Sequence, residues 1–291
     1  MLLILGRVIL IFLAIGGWAQ NSFYYPNSFN AYFLNFSQIT PSFIPNEGKM
    51  ELTSGYKSLT GAFRKISSYH FTAARIFKRN DNAHLFRVQF YNEKEGTYIS
   101  NPRAYANYGY QLSLNDNFKL ISGISLGFAG LYYSAPNTTQ SSFNVPDGAL
   151  GLSIKSAWME IGASAFQIFN SSFKPLSSTI TLERYYNLYA NAKKEWPSDW
   201  ILKCYGLYRI LPYTEPDIIL SGTIGYTKNI EAGISVRYNS GISLFGVFSP
   251  AIGEDRLKLL INYNSPLFGL VPKYQSNIEI GLAYIVLDNG E

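Results

Sequence analysis

His70 and His84 are the natural starting points for proton-transfer chemistry in this chain, because histidine titrates nearest neutral pH. A hydrolase would need one of them in contact with a serine and backed by a carboxylate. Each histidine instead falls in a strand-like stretch with no serine–aspartate constellation nearby in the sequence, which favours an interfacial or lumen histidine. No Gly-x-Ser-x-Gly, phosphate-binding loop, His-Glu-x-x-His or Cys-x-x-Cys pattern occurs. Metal-ligand spacing is absent as well. The one cysteine, Cys204, lies on the apolar row Leu202-Cys204-Gly206-Tyr208 and reads as a core or lipid-facing thiol rather than a nucleophile. Glu93-Lys94-Glu95 and Glu254-Asp255 sit at turns and read as solvated loop tips, not calcium ligands. Asn137-Thr138-Thr139 matches a glycosylation acceptor, a weak signal. The expectation is a non-enzymatic protein with no catalytic, cofactor or metal residues.

The elements that would carry these residues are two-faced ribbons. Ala104-Ala106-Tyr108-Tyr110-Leu112-Leu114 alternates with Tyr105-Asn107-Gly109-Gln111-Ser113, and strand side chains point to opposite faces with period two. The pattern returns at Ile124-Leu126-Phe128, Ile218-Leu220-Gly222-Ile224-Tyr226, Ala232-Ile234-Val236-Tyr238, Leu257-Leu259-Ile261-Tyr263 and Ile278-Ile280-Leu282-Tyr284-Val286. None of these rows carries a charge. A soluble sandwich would put charge on its outer faces, whereas here the opposite rows are small, polar and tyrosine-rich, with scattered Lys155, Lys203, Arg209, Arg237 and Lys258. The chain is 47% apolar, 16% aromatic and only 15% charged, against roughly 25% charged in soluble domains. No internal run reaches the ~20 apolar residues of a membrane helix. The reading is an all-β chain forming a transmembrane antiparallel β-barrel.

Fourteen strands are expected, near 49–57, 67–77, 83–92, 103–114, 118–133, 147–156, 158–168, 182–195, 200–211, 216–227, 230–239, 241–249, 256–265 and 275–286. Turn residues such as Asn115-Asp116-Asn117, Pro197-Ser198-Asp199 and Gly253-Glu254-Asp255 separate them. The polar gaps at 134–146 and 169–181 suit extracellular loops. Gly123, Gly127 and Gly130 are expected to let the sheet bend or to admit a plug at close range. Residues 1–19 read as a cleaved signal peptide, with one basic residue, an apolar run from Val8 to Ile15 and small residues before a cut after Ala19. Residues 20–47, aromatic and proline-punctuated, read as a short irregular plug-like segment ahead of a barrel over 48–287. Export with no helical span points to the outer membrane of a Gram-negative cell. The net charge of +5 is scattered rather than striped, so nucleic acid is not an expected partner; the lipid bilayer is.

The order of segments resembles the PorP/SprF family of the type IX secretion system of Bacteroidota. Tyr32-Phe33-Leu34-Asn35-Phe36-Ser37-Gln38-Ile39-Thr40-Pro41-Ser42-Phe43 resembles its opening, with Phe36, Thr40 and Ser42 in place of proline, asparagine and alanine. Phe90-Tyr91-Asn92-Glu93-Lys94-Glu95-Gly96, Ala106 to Leu114, and Pro146-Asp147-Gly148 through Phe166 resemble later family segments in order and spacing. The resemblance implies a non-enzymatic barrel of the secretion and gliding machinery. Its implied partners are type IX secretion subunits of the periplasmic ring, or the C-terminal domain of a secreted adhesin. Tyr32, Asn35 and Pro41 are the positions carried over, either holding the N-terminal segment in the barrel or touching a partner. The alternative reading is a transporter of hydrophobic solutes, like the fatty-acid channels, which also have fourteen strands and an N-terminal plug.

Overall fold

The computed structural model describes residues 22–26, 29–45, 47–79, 81–134, 141–174, 179–227, 229–238, 240–266 and 276–287. The leader over 1–19 and the Asn137-Thr138-Thr139 acceptor lie outside the described residues. The strands are β1 (Met50–Leu59), β2 (Ser67–Arg79), β3 (Asn82–Glu95), β4 (Ile99–Ser113), β5 (Lys119–Tyr133), β6 (Ser141–Lys155) and β7 (Met159–Phe166). They continue with β8 (Tyr185–Glu195), β9 (Trp200–Ile210), β10 (Asp217–Tyr226), β11 (Ile230–Arg237), β12 (Gly241–Phe248), β13 (Asp255–Ser265) and β14 (Asn277–Val286). Each pairs antiparallel with the next, and β14 pairs with β1 from Asn277↔Leu59 to Val286↔Met50. Closure removes the unpaired edges that hydrocarbon would not tolerate.

Alternating apolar rows become the outer wall. Ile261 is 66% exposed, and Phe128, Leu220, Ile224, Ile234, Leu244 and Ile280 point outward with it. Cys204 is also exposed on this face. His84 lies on this wall too, where its Nδ1 meets the Tyr108 hydroxyl at 2.8 Å and its ring lies 4.9 Å from that of Tyr110. Arg75 and Lys194 point outward near one rim, each against an aromatic ring, Phe77 at 5.0 Å and Trp196 at 5.3 Å. Such stems can lie on apolar surface while their charges reach the headgroups.

The connections after β2, β4, β6, β8, β10 and β12 are short and share one rim with the start of β1 and the end of β14. The other rim carries the longer connections, including 167–184, in which Ile180–Thr181 pairs with both Ser172–Phe173 and Ser22–Phe23. In outer-membrane barrels the short turns face the periplasm and the long loops face outward.

All fourteen expected strands are present. The differences lie at the long-loop rim: β4 starts at Ile99 and β6 at Ser141, earlier than 103 and 147. Pro102 and Pro146 interrupt the alternation there. The β4–β5 ladder skips from Ser100↔Tyr132 to Arg103↔Ala129, where Pro102 has no N–H to donate, and resumes in the same register.

Candidate functional site

The inner wall is polar and charged, and the chain's own N-terminal segment lies against it. At the long-loop rim the Tyr24 amide donates to the Thr181 carbonyl, at 3.0 Å, and its hydroxyl donates to Glu93, at 2.6 Å. At the short-turn rim the Lys49 amide donates to the Val286 carbonyl, at 2.8 Å, where β1 begins. Between these points residues 29–45 run down the lumen, mostly buried. A segment without strand pairing carries unspent backbone donors and acceptors, and buried ones need partners. The barrel supplies them from widely separated strands.

Glu279 of β14 is 1% exposed and accepts the backbone N–H of Asn30 at 2.8 Å and of Ala31 at 3.0 Å. Asn262 donates to the same carboxylate at 3.1 Å, and Lys57 stands 3.7 Å away. The Ile39 carbonyl accepts from Ser164 at 2.6 Å and from Asn187 at 2.8 Å. The Phe43 carbonyl accepts from Arg87, and the Ile44 carbonyl from Lys155 at 3.0 Å. The Pro26 carbonyl accepts from Arg209 at 3.1 Å. Cations thus meet the carbonyls, and a carboxylate meets the amides.

The carried-over positions all lie on this segment inside the lumen, not at a rim. Tyr32 is 1% exposed, among Phe36, Ile39, Tyr189, Leu207 and Ile219. Asn35 donates to Thr72 at 3.0 Å and stands 3.1 Å from Nδ1 of His70. His70 is therefore buried in the lumen, edge-on to Phe29 at 5.0 Å, with no serine hydroxyl bonded to it among the described residues. Pro41 lies on Gly123 of β5, where an added Cβ would strike the Pro41 carbonyl and the Ser42 amide. Gly151 of β6 makes room for Thr40 and Pro41 in the same way. Of the three glycines singled out in the sequence, Gly123 is the one against the inner segment. At Gly127 the neighbouring Ala104 carbonyl fills the space, and Gly130 faces Asn144 and Pro102.

Overpacking a closed contact costs about 1–3 kcal/mol. Gly123→Val is accordingly expected to lift the Pro41 turn off the wall, lowering the thermal midpoint and opening residues 29–45 to protease. An unchanged digestion pattern would count against the contact.

Lys155, Arg209 and Arg237 stood out in the sequence as charges on the inward rows, but their acidic mates and Lys57 did not. Glu279, Lys57, Asp217, Asp147 and Glu160 are buried in ion pairs, Lys57–Glu279 at 3.7 Å, Arg103–Asp147 at 3.7 Å and Arg237–Asp217 at 2.7 Å. The available signal was a lone charge at inward parity, as Glu279 stands between Ile278 and Ile280. Hydrocarbon on the outer face forces such a charge inward, where it needs a mate.

The fold is similar to that of three solved outer-membrane channels. The Ralstonia pickettii toluene transporter TbuX superposes with a TM-score of 0.54 at 10% identity, covering 92% of this chain and 95% of that one. The CymD monoaromatic hydrocarbon channel gives 0.53 at 12%, covering 89% and 92%. The P. putida toluene transporter TodX gives 0.52 at 11%, covering 94% and 97%. At such identities the likeness concerns the fold. No curated protein matches the chain. The family model for the type IX secretion system membrane protein PorP/SprF matches residues 21–284, nearly all of the described chain. Barrel and family together place the protein in the outer membrane. The chain belongs to the PorP/SprF family of type IX secretion system membrane proteins.

Proposed function

We propose that this protein is a non-enzymatic, partner-docking wall of the type IX secretion and gliding apparatus, holding a secreted adhesin or the periplasmic ring at the outer membrane. The observation that carries this reading is the inner segment. It crosses the lumen from rim to rim, bonded to Glu279, Arg87, Lys155, Ser164 and Asn187 on opposite sides of the barrel. In this role the segment is a plug, and the barrel offers its rims rather than a passage. A rigid, lipid-anchored rim presents docking groups without an ordering cost at each encounter. The family membership supports the choice of partner.

Transport of a hydrophobic solute is the competing reading, and the likeness to hydrocarbon channels favours it at the level of fold. Such a solute needs an apolar path, and the buried ion pairs of the lumen offer it poor company. Affinity capture of the tagged protein from detergent-solubilised outer membranes separates the two. Co-recovery of secretion subunits or of a secreted adhesin is the expected result. Recovery of neither, together with hydrocarbon uptake that depends on this protein, would overturn the proposal.

A further inference from the structure

The inner segment has a chamber on each side, and the two differ in size. Toward the long loops the space is about 80 Å³ and closed in by Tyr32, Arg103 and Asn107, each 5% exposed or less. Toward the short turns lies a vestibule of about 220 Å³. Its lining includes Lys193 and Glu47, whose side chains are 39% and 41% exposed, so it opens at the periplasmic rim. A cavity of roughly 150 Å³ can hold a benzene ring; this one has room for a ring and a polar group beside it.

The vestibule floor is aromatic. Phe33 stacks on Tyr205 at 5.1 Å and Phe36 on Phe43 at 5.3 Å, so ring surfaces are presented to an occupant. Charges line the walls, and most are committed to one another. Lys155 serves Glu160 and the Ile44 carbonyl, Lys203 serves Glu231 at 2.6 Å, and Lys193 pairs with Glu195. Glu47 pairs with Arg256 at 2.7 Å. Two lining groups are left over. Glu51 of β1 has Arg87 as its foremost charged neighbour and Lys258 of β13 as the next, and Lys258 faces Lys203, Glu47, Glu51 and Glu231, yet neither Glu51 nor Lys258 makes a hydrogen bond or ion pair among the described residues. Charges out of bulk water are ordinarily paired. An unbonded ammonium and an unbonded carboxylate that line the same vestibule as these rings complement one arrangement: a carboxylate, an N–H on the neighbouring carbon, and an apolar side chain.

We propose that the periplasm-facing vestibule binds an α-amino-acid unit with a free carboxylate and an aromatic or large aliphatic side chain. Lys258 takes the carboxylate, Glu51 takes the N–H, and the rings of Phe33 and Tyr205 receive the side chain. A free amino acid and the C-terminal residue of a peptide share this chemistry. The site stands independently of the secretion role, since neither its lining nor its ligand depends on a secretion partner.

Titration calorimetry on the full mature chain in detergent micelles tests the proposal with three probes. These are free L-phenylalanine, a short peptide ending in phenylalanine with a free carboxylate, and the same peptide amidated. A charge-assisted hydrogen bond corresponds to about tenfold or more in affinity. At least one free-carboxylate probe is expected to bind, and the amide about tenfold more weakly than its acid where the peptide binds. Lys258→Met is expected to erase the preference for the carboxylate, and Glu51→Gln to weaken every probe that binds. Folding of each variant is checked by its heat-dependent gel mobility. Binding of phenylalanine alone identifies a solute site, and binding of the peptide alone identifies a chain-end site. Equal affinity for acid and amide, no heat from any probe at millimolar concentration, or a folded Lys258→Met that keeps the preference would each overturn the proposal. The comparison of acid with amide on the unmodified protein stands even where a variant does not fold.

Discussion

Ile261→Arg is expected to destabilise the barrel by about 2–4 kcal/mol in lipid, because a cation on a transmembrane wall near mid-depth faces hydrocarbon. Ile261 points outward from the middle of β13, between Gly246 of β12 and Ile280 of β14, and is the most exposed of the large apolar residues among those described. No charged group is available on those neighbours to neutralise the guanidinium, and the side chain must reach several residues to find a headgroup. The same replacement at Ile252, in the two-residue strand at the short-turn rim, is expected to cost only about 0–1 kcal/mol, since the interface tolerates charge. Urea unfolding in lipid vesicles, followed by tryptophan fluorescence, measures both. A soluble sheet would show little cost at either position, because an exposed arginine there is near neutral. Equal small effects at the two depths would contradict a lipid-covered wall.

Glu279→Ala is expected to release the inner segment. The substitution leaves the amides of Asn30 and Ala31 without the acceptor they have here and takes from the Lys57 ammonium, 4% exposed, the carboxylate 3.7 Å away. Removing one partner of a buried ion pair costs about 3–5 kcal/mol, more than the segment's single hydrogen bonds contribute individually. The barrel ladder does not depend on that carboxylate, so β14 should stay paired to β1 and β13 while the upper part of the segment detaches. Two readouts follow from that separation. Residues 29–45 become cleavable by protease in the intact barrel, and single-channel conductance appears in planar bilayers where the unmodified protein shows little. Replacing Lys57 as well, with methionine, removes the ammonium that faced Glu279 and should recover part of the stability. A folded, uncleaved and non-conducting Glu279→Ala protein would mean that the segment is held by its aromatic contacts instead.

Much of the wall was legible because lipid imposes a strict rule. Rows such as Leu257-Leu259-Ile261-Tyr263 are uncharged for every residue facing hydrocarbon, and a one-residue slip would turn Lys258 outward. The ends were less legible. Above the membrane that rule lapses, so Ile99–Asn101 and Ser141–Val145 carry on the ladder with no periodicity to mark it. Pro102 and Pro146, which signal a break in most strands, sit where the ladder continues. The inner contacts were illegible for another reason. Asn30 and Glu279 lie 249 positions apart, and a carboxylate that accepts backbone amides carries no motif. Tyr32, Asn35 and Pro41 came from family likeness, and their neighbours could be named only once β2, β5 and β8 were in place around them. His70 looked the same as His84 in the sequence. Parity alone separates them, His70 turned inward to Asn35 and His84 outward to Tyr108.

The most direct measurement is flotation of the refolded chain from residue 20 onward after detergent is diluted away, with and without lipid vesicles, followed by unheated gel electrophoresis. With vesicles, the barrel should float with the lipid and migrate as a compact species that shifts on boiling; without them, it should precipitate. A chain that stays folded, monomeric and dissolved in plain buffer would show that water covers Ile261, Leu244 and Phe128, and that the wall is not a membrane wall.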